Sequence, residues 1–271
     1  MQENSALTTR SGFGKLRQLT SVSLLFLLTL PCHPKGVISS ESHLQSVEPR
    51  GQIRELQSQL IRAIWNRDLK IFESLLSKDL DPNFLFRLES KDQPVSPLSS
   101  ALAQNETQMV VLLLNHGAQV NFGVDQGLVP IGIAAAYSTR ETVGELIKRG
   151  AEVNVRDSDG YTPLLLATSN HNDGLRIIRL LITAGASLND KTSRLEDTLV
   201  MVAASNLNVE VVRFFIDHGV DPCAHNRNQE TALDYANHEV LNVHATAKLK
   251  ARKEILHLLS KKCRATAKHA I

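Results

Sequence analysis

Ser96-Pro97-Leu98-Ser99-Ser100-Ala101, followed by Met109-Val110-Val111-Leu112-Leu113-Leu114-Asn115-His116-Gly117-Ala118-Gln119-Val120-Asn121, is one unit of a repeat that decides the fold. Two markers recur with it. The glycine after the second apolar run falls at Gly117, Gly150, Gly185 and Gly219, at spacings of 33, 35 and 34 residues. The alanine that closes the first apolar run falls at Ala101, Ala134, Ala167, Ala203 and Ala236, at spacings of 33, 33, 36 and 33. Independent markers that agree on a period of about 33 residues imply a solenoid of stacked supersecondary units.

The plainest copy runs Asp159-Gly160-Tyr161-Thr162-Pro163-Leu164-Leu165-Leu166-Ala167 and later Leu180-Leu181-Ile182-Thr183-Ala184-Gly185-Ala186-Ser187-Leu188-Asn189. Thr162 offers a hydroxyl to cap a helix, and Pro163 suits the first turn, where a missing N–H costs nothing. Leu164 and Ala167 share a face, and a small alanine lets the next helix come close. Ile177, Ile178, Leu180, Leu181 and Ile182 supply the buried face of a second helix. Gly185 ends that helix in the left-handed conformation. Asp159-Gly160 is a tight-turn signal at the tip of a projecting finger.

These motifs resemble the ankyrin repeat family, over roughly residues 55–263. The resemblance implies an all-α, ankyrin-repeat solenoid of helix-turn-helix units with short β-hairpin fingers. The units are expected at 55–83 (a degenerate cap), 96–121, 129–154, 162–189, 198–223 and 231–263 (a second cap). Residues 1–40 read as a signal peptide or hydrophobic segment, 41–54 as a linker, and 264–271 as a basic tail that frays. Some positions depart from the pattern. Val129 stands where a capping Thr belongs, which weakens that helix start by roughly 1 kcal/mol. The fourth unit has two extra residues near Ser169–Gly174, and an insertion near Asn237–Leu249 precedes a lengthened last helix. Phe84, Leu85 and Phe86 extend the first finger, either folding back as a cap or forming a contact surface. The family's Thr-Pro-Leu-His has Ser99, Gly132, Leu165, Met201 and Asp234 in place of its His. The hydrogen bonds that this His gives its loops are therefore expected to be missing.

Of 271 residues, 42% are apolar and 21% charged, with a net charge of +2. Near-neutrality argues against nucleic-acid binding through bulk charge, and 4% aromatic content leaves little for base stacking. Arg10, Lys15 and Arg17 precede an apolar run from Leu19 to Leu30 that Pro31, Pro34 and Gly36 end. That order reads as a secretory signal, with cleavage expected after Ser39. The run falls short of the roughly 20 residues of a membrane span. A periplasmic or secreted protein from a bacterium is expected, with no stable membrane insertion after cleavage. An anchor formed by residues 19–30 is the alternative. Cys32 leaves with the signal, so Cys223 and Cys263 remain in an oxidising compartment, where pairing is open. They map to a finger base and a helix end of adjacent units, and the ~7 Å limit on Cα separation weighs against a bond.

No catalytic constellation, Gly-rich phosphate loop or Gly-x-Ser-x-Gly is present, so neither enzyme activity nor a cofactor is expected. His116 and His218 stand just before helix-ending glycines, a structural place. His238 and His244 have no metal-ligand spacing. A hydrolase built on the solenoid would need a nucleophile beside His171 or His225, and none is placed there. The family resemblance implies instead binding of another protein along the concave side, by a chain that is monomeric alone. The candidate contact residues are Arg87, Asp125, Gln126, Tyr137, Arg156, Asp157, Asp159, Lys191, Arg194, Asn226 and Arg227. Inhibition of an exported toxin or enzyme, accessory service to one, and action on host-cell proteins are the roles open to such a protein.

Overall fold

The computed structural model describes residues 49–87, 95–122, 129–238 and 246–269. The expected signal segment, its cleavage point, His244, Asp125 and Gln126 lie outside them. Twelve helices form six antiparallel pairs among the described residues. They are α1 (Pro49–Trp65) with α2 (Leu69–Leu76), α3 (Pro97–Ala103) with α4 (Thr107–Asn115), and α5 (Pro130–Tyr137) with α6 (Arg140–Lys148). Then follow α7 (Pro163–Ala167) with α8 (Gly174–Thr183), α9 (Leu199–Ser205) with α10 (Val209–Asp217), and α11 (Ala232–His238) with α12 (Thr246–His269).

Local chemistry sets these boundaries. Ser96, Thr162 and Thr198 each accept a hydrogen bond from the backbone N–H three residues on, which caps α3, α7 and α9. Val129 makes no capping bond. Gly117, Gly150, Gly185 and Gly219 follow α4, α6, α8 and α10 with φ between 84° and 97°, where a side chain would be strained. The substitutes for the family's His partly rebuild what was expected to be lost. Ser99 Oγ accepts from Ser96 N at 2.8 Å and donates to Ser96 O at 3.0 Å. Asp234 Oδ2 accepts from Thr231 N at 2.8 Å and from its hydroxyl at 2.7 Å. Gly132 answers a different need, since a Cβ there would stand 2.9 Å from Leu166 Cδ1 on the next unit.

Three boundaries differ from the sequence reading. Helix α1 starts at Pro49, inside the expected linker, because Ile53 and Leu56 extend the helical pattern backwards. Helix α12 runs 24 residues and continues to His269, through the tail expected to fray. The fingers are hydrogen-bonded turns, with no sheet among the described residues. Strand pairing there is limited to two isolated antiparallel bridges, Phe86 with Val95 and Lys191 with Thr198. In the first finger Phe84 is buried and Phe86 packs on the core, while Leu85 points out.

First helices stack on first helices, α3 on α5 and α5 on α7, and second helices on second helices. The five marker alanines, Ala101 to Ala236, are each 0% exposed, so their small size is used fully at the closest approaches. The apolar side chains form one continuous core from Leu60 to Leu259.

Apolar packing has no direction of its own, so polar rungs fix how one unit sits on the next. Four residues past the helix-ending position of each of the first four units stands an asparagine, and the first three of these form rungs. Asn83 Nδ2 donates to Gly117 O at 3.0 Å, Asn121 to Gly150 O at 3.1 Å, and Asn154 to Gly185 O at 3.0 Å. Asn83 and Asn121 also accept from the backbone N–H of Gln119 and Glu152. Cys223 holds this same register after Gly219. Cys263 stands four residues after Leu259, as Gly219 stands four after Phe215. The two cysteines are bonded, with Cα atoms 5.6 Å apart. The sequence reading weighed against this bond because it compared a finger base with a helix end. In the stack those two places are neighbours at every joint.

At the opposite end of the units, buried Asn170 fills the extra turn of the fourth repeat. Its amide donates to Ser138 O at 2.9 Å and Ala135 O at 3.2 Å, and accepts from Asp173 N at 2.9 Å and Asn172 N at 3.2 Å. Asn170→Ala strips partners from several groups at once and is expected to lower stability by about 2–3 kcal/mol in urea unfolding. Cys223→Ala with Cys263→Ala opens a loop of 40 residues, which chain entropy values at about 4 kcal/mol. Because solenoids open from their ends, this loss is expected as faster hydrogen exchange in α11 and α12, with α5 unchanged.

Candidate functional site

The fingers between the later units are tied to each other before any partner arrives. In the finger before α7, Asp157 Oδ1 accepts from Tyr161 N at 2.8 Å and Asp159 N at 3.0 Å, which closes the turn. Gly160 stands so near the following finger that a Cβ would collide with the side chain of Ser193. Arg156 Nη1 donates to Gly160 O and to Lys191 O, both at 2.7 Å, and its Nη2 lies 3.7 Å from Asp190. The next crossing uses Arg227. Its backbone N–H donates to Leu195 O at 2.9 Å, and its guanidinium grips Glu196 Oε1 at 2.8 and 3.0 Å.

Beneath it lies a network without a sequence motif. Asn226 is 3% exposed and donates to Asp197 Oδ1 at 2.7 Å. The Tyr235 hydroxyl donates to the same oxygen at 2.6 Å. Asn226 Oδ1 accepts from Asn228 N at 2.9 Å and Glu230 N at 3.0 Å. Asp197, Glu196 and Tyr235 therefore belong to the finger frame, although the sequence reading did not single them out. Their bonds span 29 to 38 residues. The one local hint is that Asp197 directly precedes the capping Thr198.

This geometry sorts the candidate residues. Arg156, Asp157, Asn226 and Arg227 hold the finger frame together. Asp159, Lys191 and Arg194 are exposed on consecutive fingers, and their side chains make no bond among the described residues. Arg87 is exposed on the first finger, apart from this group. Tyr137 ends α5, half-buried. Along the stacked first helices, Ile133 and Leu166 are the partly exposed apolar groups at one register, with buried Val202 beside them.

Burial is the main influence on the titrating groups here. It pushes the Tyr137 phenol from 10.0 up to about 12. It raises the Asp157 carboxyl as well, with neighbouring Asp159 adding to the rise and the N–H groups of Tyr161, Asp159 and Gly160 opposing it. His171, in the extra turn of the fourth unit, is lowered by burial and by the charge of Lys248. The two histidines at helix ends do structural work. His116 and His218 ring N–H groups reach the carbonyls of Leu112 and Phe214 at 2.9 and 2.8 Å, and His218 also stacks on the Phe214 ring. No group of three or more His, Cys, Asp or Glu converges as a metal site among the described residues. On the second-helix side, a groove of about 500 Å³ between α6 and α8, lined by Arg140, Arg179 and Leu180, is an open trough.

Tyr137 gives a direct test of this burial. Its pKa is raised on folding, so the associated stability is full below pH 10 and is lost as pH rises through about 12. Absorbance titration of the phenolates is expected to show a step near pH 12 that Tyr137→Phe lacks.

No curated protein matches the chain. The family described as Ankyrin repeats (3 copies) matches three times, over residues 60–157, 98–192 and 164–263. These overlapping matches span the six helix pairs almost end to end, and the rungs and finger turns recur at the same period. The chain is a member of the ankyrin repeat family, whose members typically bind other proteins and are typically non-catalytic.

Proposed function

We propose that this protein is a non-catalytic docking module that holds an exported enzyme or toxin, as inhibitor or accessory, through the side formed by its fingers and first helices. The observation that carries this reading is the pre-bonded finger frame. Arg156, Asp157, Arg227 and Asn226 spend their polar groups within and between the fingers, which leaves Asp159, Lys191 and Arg194 exposed on a surface already ordered. A surface ordered in advance loses little entropy when a rigid partner docks. Mixed charge on two adjacent fingers suits a partner with complementary charge of both signs and sets encounter rate and register more than raw affinity. Ile133, Leu166 and Tyr137 supply the apolar contact that such a rim surrounds.

Export rests on two supports. The order of basic residues, apolar run and breakers at the N-terminus is that of a secretory signal. The Cys223–Cys263 bond fits an oxidising compartment. Both support a periplasmic or secreted location.

The test is capture of partners from periplasmic, cytosolic and host-cell extracts by the purified protein, with the bound chains identified by mass. One stoichiometric exported enzyme or toxin is the expected result. Asp159→Lys, Lys191→Glu and Arg194→Glu together are expected to weaken its binding by at least about tenfold without loss of fold. Arg156→Glu is expected instead to loosen the fingers themselves. Partners found only among host-cell proteins would reject the periplasmic reading and establish the effector role.

A further inference from the structure

The charge of this chain is unevenly placed. The whole sequence holds 30 basic and 28 acidic residues, and α12 alone holds eight of the first and one of the second. Everything outside α12 is therefore net negative. Within α12 the apolar side, with Ile255 and Leu259 each 0% exposed, is packed on the solenoid. The side opposite carries Lys250, Lys253, His257, Lys261 and Arg264, all exposed. Their spacing of three or four residues puts them in one stripe, since that interval returns to the same face of a helix. From Lys250 to Arg264 the stripe is about 21 Å long at 1.5 Å per residue.

Among the described residues nothing neutralises this stripe. Lys250, Lys253, Lys261 and Arg264 take part in no ion pair among the described residues. The one acid of the helix, Glu254, is bound to Arg213 of α10 at 3.1 Å. Like charges three or four residues apart on a helix destabilise it, so a bare row of them opposes folding. Two fixtures keep the row in place regardless. Arg252 donates to Ala236 O at 3.0 Å and Asn237 Oδ1 at 2.9 Å, and the Cys223–Cys263 bond holds the far end.

We propose that the outer face of α12 is a docking ridge for an anionic phospholipid surface. The ridge lies along the outward side of the last helix of the stack. Three of its four fixed cations are lysines, which act as point charges without the bidentate geometry that selects single carboxylates. Helix α12 has no Phe, Tyr or Trp to stack on a base. A straight, evenly spaced row of ammonium groups fits a plane of diffuse negative charge. Its neutralised row then lies against the headgroups, and the finger side of the solenoid stays open to a protein partner. The attraction is purely electrostatic and fades with salt.

The experiment is vesicle co-sedimentation of the full chain. Vesicles of phosphatidylcholine alone are compared with vesicles containing about one-third phosphatidylglycerol, each at low and high salt. Wild type is expected to bind the anionic vesicles at least about tenfold more strongly at low salt, and to lose that preference at high salt. The Lys250→Gln, Lys253→Gln, Lys261→Gln, Arg264→Gln variant is expected to show no preference. Both proteins carry the same N-terminal apolar segment, so its own affinity for lipid cancels. Helicity of the variant is measured in parallel, and Lys250→Arg, Lys253→Arg, Lys261→Arg is expected to bind as wild type does. An equal preference for anionic vesicles in wild type and the Gln variant, or none in wild type, overturns the proposal. So does tighter binding to a DNA duplex or to polyglutamate than to the anionic vesicles.

Discussion

The structure depends on a hydrogen bond that crosses from one repeat to the next at the first three joints. An asparagine at the finger base reaches the backbone of the helix end beside it, at Asn83, Asn121 and Asn154. Burial of leucine and alanine supplies the driving force for stacking but tolerates sliding, because it scales with area and not with direction. The amide does not tolerate sliding. At Asn83 and Asn121 it donates with one end and accepts with the other, so a shift of one unit would break two bonds together. At the last joint a covalent bond takes over the same place. A solenoid made of near-identical layers thus acquires a single register.

The fingers extend the same logic outward. Arg156 and Arg227 are exposed arginines, and exposed ion pairs add little stability. Their value lies in the carbonyls they reach on a neighbouring finger, Lys191 O on the finger after Arg156 and Leu195 O on the finger before Arg227. Each finger is therefore positioned by its neighbour. Charged residues on such a surface divide into those that shape it and those it presents, and adjacent positions fall on opposite sides of that division, as Asp157 and Asp159 do.

Much of this was legible from the chain alone. The glycines, the capping Ser and Thr residues and the marker alanines each act within one unit, and a period of about 33 residues exposes them. Contacts between units were harder to read. Asn226, Asp197 and Tyr235 meet across a joint, and nothing in the local sequence of any one of them announces the others. The substitutes for the family's His misled for a related reason. Ser99 and Asp234 differ from it in size, yet each places an oxygen where the loop N–H needs one. The disulfide was within reach of sequence reasoning. Cys223 lies four residues after Gly219, as Asn121 lies four after Gly117, and aligning those two positions brings Cys263 alongside.

Because that bond ties α12 back to the base of the preceding finger, the last repeat is a closed ring. A stack of layers ordinarily peels from its free end, one layer at a time, when a protease, a translocation motor or a pulling force takes hold of the terminus. Here tension applied beyond Cys263 bypasses α11 and α12 and enters the molecule at Cys223. The first layer to bear the load is then the fifth repeat, which is packed on both sides. The C-terminal end of the chain is thereby the end from which this protein resists being unravelled.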